Sequence, residues 1–128
     1  MKAETRRLFW MGSSLKDLRG FPEAVKDVMG FALYLAQTGG KHPQAKPLKG
    51  YGGAGVLEVV EDHDRSAYRG VYTVKFKDSV YVLHAFKKKS KKGARTKTQD
   101  AELIHHRLKA AGEHHSRWQV DERSKPRR

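Results

Sequence analysis

The chain has 128 residues, 27 Lys and Arg against 14 Asp and Glu, a formal net charge of +13, and no cysteine. That length fits one domain with a modest core, and an apolar share of 38% excludes disorder along the whole chain. Disulfides and thiolate metal sites are excluded, and LFWM (Leu8 to Met11) is too short for a leader or membrane span, so a cytoplasmic protein is expected. The excess of positive charge favours polyanionic partners, with nucleic acid first and an anionic membrane surface or acidic protein behind it.

In chain order, Leu8 to Met11 reads as a first strand stopped by Gly12 and two serines. Ser14 with Asp17 three residues on marks the start of a short helical turn, Leu15 to Arg19. Pro22 opens a longer helix. Val25, Val28, Met29, Ala32, Leu35 and Ala36 recur at helical spacing until Gly39 and Gly40 end it. His42 to Gly55 is loop by composition, and its glycines precede a strand and lack the Lys-Ser of a P-loop.

Three strands are expected next, at Val56 to Glu61, Tyr68 to Phe76 and Val80 to Phe86, joined by short polar turns that favour an antiparallel meander. Seven basic residues and no acidic one then lie between Lys87 and Lys97. Ordered sequence on both sides makes this run a candidate phosphate-binding surface. Thr98 can cap a helix through about Ala111 that buries Ala101, Ile104, Leu108 and Ala111. Residues 113–128 are polar and end in KPRR, so they read as a basic mobile tail, with Trp118 expected to dock on the domain formed by residues 1–112. The fold class is therefore α+β: a small antiparallel sheet of about four strands with N-terminal helices packed on one face and a C-terminal helix.

Such a sheet leaves its second face open, where Arg69, Glu58, His84 and Phe86 can gather, with Lys46 and Lys49 on the entering loop and Lys88 and Lys89 leaving the last strand. Together they form a basic cleft with a carboxylate, an imidazole and an aromatic ring, suited to a phosphodiester and a stacked base. Each residue also has a structural explanation. Glu58 can pair with Arg69 across the sheet, His84 can be a hydrogen-bonded histidine of a strand, Phe86 can be core, and the loop lysines can be solvated. Glu102, His105 and His106 share a helix, but adjacent histidines diverge by about 100°, unlike the i, i+4 pair of zinc enzymes, so no metal site is expected.

KPLKG at Lys46 to Gly50, LEV at Leu57 to Val59, YRGVY at Tyr68 to Tyr72, and VLHAFKKKSKKG at Val82 to Gly93 followed by a helix with HHRLKA resemble the phage-derived, HigB-like branch of the RelE/ParE toxin superfamily. The correspondence runs from about Leu8 to Ala111. It implies a toxin of a type II toxin–antitoxin system, a RelE-like fold, and messenger RNA cleavage in the ribosomal A site without metal or cofactor. The ribose 2′-hydroxyl attacks the adjacent phosphate, giving a 2′,3′-cyclic phosphate and a 5′-hydroxyl. The expected partner is a helix-turn-helix antitoxin.

Carried over by position, Arg69 stabilises the phosphorane, Glu58 is the general base and His84 the acid. Lys49 shares in the chemistry, and Lys46, Phe86, Lys88, Lys89, Lys91 and Lys92 hold RNA. The chain departs from many relatives in having Val60 two positions after Glu58, and in lacking a clear His or Tyr acid at its end. Competing expectations are a non-catalytic RNA- or ribosome-binding module and a phage structural protein that binds DNA.

Overall fold

A computed structural model describes residues 5–53, 55–89 and 98–124. Lys91 and Lys92 lie outside these residues, as does most of the lysine run. The elements are β1 (Arg7–Trp10), α1 (Ser14–Arg19), α2 (Glu23–Gln37), β2 (Ala45–Pro47), β3 (Val56–His63), β4 (Ser66–Phe76), β5 (Ser79–Lys89) and α3 (Thr98–Ser124). They form an α+β fold with one five-stranded sheet in the order β1-β5-β4-β3-β2.

The expected meander of β3, β4 and β5 is present, joined by two-residue turns. At the first of these, Asp64 and Arg65 both take positive φ (47° and 65°), the twist that a tight hairpin demands. Two features correct the four-stranded antiparallel expectation. Segment Ala45–Pro47, assigned to loop by its prolines and glycines, pairs antiparallel with β3 as a short edge strand, where a proline costs no inner hydrogen bond. The sheet is also mixed, because β1 runs parallel to β5, with Leu8 opposite Val80 and Trp10 opposite Val82.

Helix α2 starts one residue after the predicted position, with Pro22 as its cap residue. It ends as its sequence requires: Gly39 adopts φ +87°, Gly40 N–H donates to Leu35 carbonyl (2.7 Å) and Gly39 N–H to Ala36 carbonyl (3.3 Å). This is the glycine-dependent closure of a last turn. Val25, Met29, Ala32, Leu33 and Ala36 bury one stripe of α2 against Val59, Tyr72, Val80 and Val82 of the sheet. Gly70 leaves room for Met29, whose sulfur would stand 2.8 Å from a Cβ there.

The opposite face, expected to be open, is crossed by α3. Ile104 and Ala111, both fully buried, pack with Tyr51, Val56, Val71, Tyr81 and Leu83. Helix α3 does not stop at Ala111 but continues to Ser124, so residues 113–124 are helix in place of the mobile tail expected there. The stripe Ile104, Leu108, Ala111, His115, Trp118 keeps the 4-3-4-3 spacing of one helical face, with a histidine and an indole replacing aliphatic members. Trp118 docks edge-on against Phe9 at 5.6 Å, and His114 Nδ1 meets the Tyr81 hydroxyl at 2.7 Å. His115 stacks on Phe76 (4.1 Å) and hydrogen-bonds Asp78 (2.7 Å). At Gly112 nothing lies within 4 Å of where a Cβ would be, so packing does not require a glycine in this turn of the helix.

Candidate functional site

Strand parity and register bring the selected side chains together. On β3, Val56, Glu58 and Val60 share the face toward α3, while Leu57 and Val59 face α2. Lys46 lies opposite Glu58 in the β2–β3 ladder. Glu58 pairs in register with Val71 and through it with His84; one step along, Val60 pairs with Arg69 and Arg69 with Phe86. A register irregularity between Val71 and Tyr72 sets Val71 against His84 but Tyr72 against Val82. The extra residue in β5 reverses its alternation, so His84 and Phe86 fall on the same side as the buried Leu83 instead of the α2 side. Without that bulge the imidazole would point into the α2 core.

Within this row, Arg69 Nη1 donates to both carboxylate oxygens of Glu58, at 3.3 and 3.1 Å. The two side chains are 10% and 13% exposed. The pairing across the sheet is thus present, and it presents a positive fork beside a carboxylate at the floor of the site. Lys46 and Lys49 are exposed at its rim, and Lys88 is half-buried with its ammonium 5.9 Å from the Phe86 ring centre. Lys89 is the last residue of β5. Phe86, half-buried, lies in parallel contact with the His84 imidazole, 4.4 Å between centres and 20° between planes. That face of the ring is already occupied by the histidine.

His84 is buried, and its Nε2 lies 2.9 Å from Asp100 Oδ1, on the first turn of α3. No residue pattern announces this partner, because Asp100 reads as an ordinary acidic residue near a helix N-terminus. Tyr51 was also missed. Its hydroxyl donates to Ala101 carbonyl at 3.3 Å, its ring meets His105 at 4.3 Å, and burial together with the Glu58 charge holds its pKa above the ordinary value. Tyr51 therefore ties the loop carrying Lys49 to the first turns of α3, close to Glu58. An open cleft borders the site, lined by Asp17, Gly20 and Phe21 at the end of α1 and by Tyr68, His84 and Lys87 of the sheet.

Among the described residues no three His, Asp or Glu side chains gather as a metal-binding group. No helix among them is long and apolar enough to cross a membrane. Chemically, the site offers a guanidinium for anionic oxygens, a carboxylate and an imidazole for proton transfer, and lysines for a phosphate backbone.

Residues 16–109 match the family described as Phage derived protein Gp49-like (DUF891). No curated protein and no solved structure matches the chain significantly.

Proposed function

This chain belongs to the Gp49-like family of phage-derived proteins, and on that footing we propose that it is the toxin of a type II toxin–antitoxin system, related to the HigB-like branch of the RelE/ParE superfamily. It acts in the cytoplasm as a metal-independent endoribonuclease on messenger RNA held in the ribosomal A site, and a helix-turn-helix antitoxin neutralises it. The observation that carries this reading is the convergence of Lys46, Glu58, Arg69, His84 and Phe86, from four strands, on one side of the sheet.

In the proposed reaction the 2′-oxygen attacks phosphorus as Glu58 accepts its proton. Arg69, already held against Glu58, turns its fork to the equatorial oxygens of the phosphorane. His84 protonates the departing 5′-oxygen. Lys46, Lys49, Lys88 and Lys89 hold the RNA backbone, joined by Lys91 and Lys92 of the basic run, and Phe86 borders the base.

A second reading has one specific observation in its favour. Arg69 and Glu58 are nearly buried and paired with each other, as a purely structural pair would be, which suits a non-catalytic RNA- or ribosome-binding module. The test maps RNA 5′ ends shortly after induction of the wild type and of Arg69→Lys, which keeps a cation beside Glu58 but loses the fork. Cuts inside translated frames, bearing 5′-hydroxyls and present only with the wild type, support the toxin. An unchanged map with normal growth and retained RNA binding supports the module and overturns the nuclease.

A further inference from the structure

The imidazole of His84 is held more firmly than a strand histidine requires, and by a group from a different element. Nε2 lies 2.9 Å from Asp100 Oδ1, and Phe86 lies flat against the ring at 4.4 Å. The carboxylate fixes the ring's direction and the phenyl fixes its plane. His84 itself is 7% exposed. Its second nitrogen, Nδ1, is buried and has no hydrogen-bond partner among the described residues. A buried polar atom left unsatisfied is destabilising, and such atoms in folded proteins call for an explanation in terms of strain, bound solvent or chemistry. His84 also forms part of the wall of the cleft between the end of α1 and β5.

We infer that Asp100 is a positioning residue of the active site: it takes Nε2–H of His84 and so leaves Nδ1, covered in the unbound protein and reached only when RNA displaces the cleft wall that His84 helps to form, as the atom that exchanges a proton with the RNA. This rests on the endoribonuclease reading above and goes beyond it by naming the partner and the nitrogen. In the step, the O2′–P bond forms and the P–O5′ bond breaks. The 2′-hydroxyl proton passes to the Glu58 carboxylate, and Nδ1–H of the imidazolium passes to the 5′-oxygen, leaving neutral His84 with its remaining proton on Nε2. Asp100 compensates the imidazolium charge before transfer and keeps the neutral ring in that one tautomer afterwards, the orienting role of a carboxylate behind a catalytic histidine. Because Asp100 stands on the first turn of α3, the acid is assembled only when that helix is seated on the sheet. Tyr51, bonded to the carbonyl of Ala101, fixes the same turn.

The test combines kinetics with nuclear magnetic resonance on the full-length chain. In single-turnover cleavage of ribosome-bound message, Asp100→Asn lowers the chemical rate by roughly 10²- to 10⁴-fold, the span of a general acid–base contribution, with little change in the concentration for half-saturation. Asp100→Glu recovers part of it. A message with sulfur in place of the scissile 5′-bridging oxygen has a leaving group that needs no proton. It restores the rate of Asp100→Asn and of His84→Gln but not of Glu58→Gln. An unchanged rate in Asp100→Asn, or a sulfur substrate that restores none of these variants, overturns the proposal.

Nitrogen-15 shifts of neutral His84 decide the positioning independently of cleavage. The wild type is expected as the Nε2–H tautomer, and Asp100→Asn as a mixture or the Nδ1–H form. A wild type that shows the expected tautomer but cuts no message sinks the nuclease reading and keeps the His84–Asp100 geometry. A wild type that cuts message with His84 as the Nδ1–H tautomer sinks this inference alone.

Discussion

The Arg69–Glu58 pair makes a quantitative prediction that also governs how the site can be tested. At 3.1 Å and about one-tenth exposure on each side, the gross attraction is about 5 kcal/mol with an effective dielectric near 20. Desolvating two ions costs several kcal/mol each, so the net worth of the pair against apolar replacements is near zero. Removing one partner is different, because the other charge stays buried and uncompensated. Arg69→Met and Glu58→Met, like the alanine variants, should each destabilise by about 3–5 kcal/mol. The double replacement by methionine should lie within about 1–2 kcal/mol of the wild type, giving a coupling of at least about 4 kcal/mol in the methionine double-mutant cycle. Urea unfolding followed by far-ultraviolet circular dichroism reads these values, with the slope against urea checked for constancy. Single variants that each cost less than about 1 kcal/mol, and whose effects add, would refute the reasoning and make the pair a solvated one. If the prediction holds, loss of cleavage in Arg69→Ala is uninterpretable by itself, and Arg69→Lys becomes the informative variant.

Three other outcomes are expected. Trp118→Ala should destabilise by about 1–3 kcal/mol, since it removes a half-buried indole from Phe9; a neutral result in thermal unfolding would mean that the last turns of α3 are not docked. Ultraviolet titration should find Tyr72 and Tyr81 ionising near pH 12, Tyr72 because it is buried and Tyr81 because it is buried beside Asp78. Their folded values lie above the unfolded value of about 10. The unfolded chain therefore loses these protons first and stability falls as pH climbs between the two; tyrosines that all ionise together near 10 would contradict the packing. Binding to single-stranded RNA should weaken with a log-log salt slope of about −0.7 per phosphate contacted, and titration at several salt concentrations that gives a flat line would remove the electrostatic basis of the site.

Much of the arrangement was legible because it depends on local chemistry. The α2 stripe, its glycine stop and the β3-β4-β5 hairpins follow from periodicity and turn residues, and strand alternation alone sets Glu58 and Arg69 on a common face. What was not legible depends on distant partners. A strand of three residues ending in Pro47 has too few positions to show alternation, and β1 joins β5 in parallel across most of the chain. The reversal of parity at Leu83 comes from a bulge that no residue type announces. Asp100 is ordinary in sequence and becomes a partner of His84 only once α3 is laid over β5. The continuation of α3 past Gly112 was recoverable: counting His115 and Trp118 as members of the apolar stripe extends it without a break, whereas counting aliphatic residues alone ends it at Ala111.

The shortness of β1 has a consequence for the behaviour of the protein in concentrated solution. Its four residues cover β5 only from Ser79 to Val82, and among the described residues no strand pairs with that side of β5 beyond this point. Arg107 closes the gap for one residue by donating to Leu83 carbonyl at 2.9 Å. From His84 onward this side of β5 instead borders the cleft lined by Asp17, Gly20 and Phe21. The exposed Lys87 and half-buried Lys88 stand on this stretch, and charge on an exposed edge is a common guard against fibril-like stacking. Lys88, proposed to hold RNA, would then also help to keep copies of the protein apart, so removing its charge to weaken RNA binding would lower solubility at the same time.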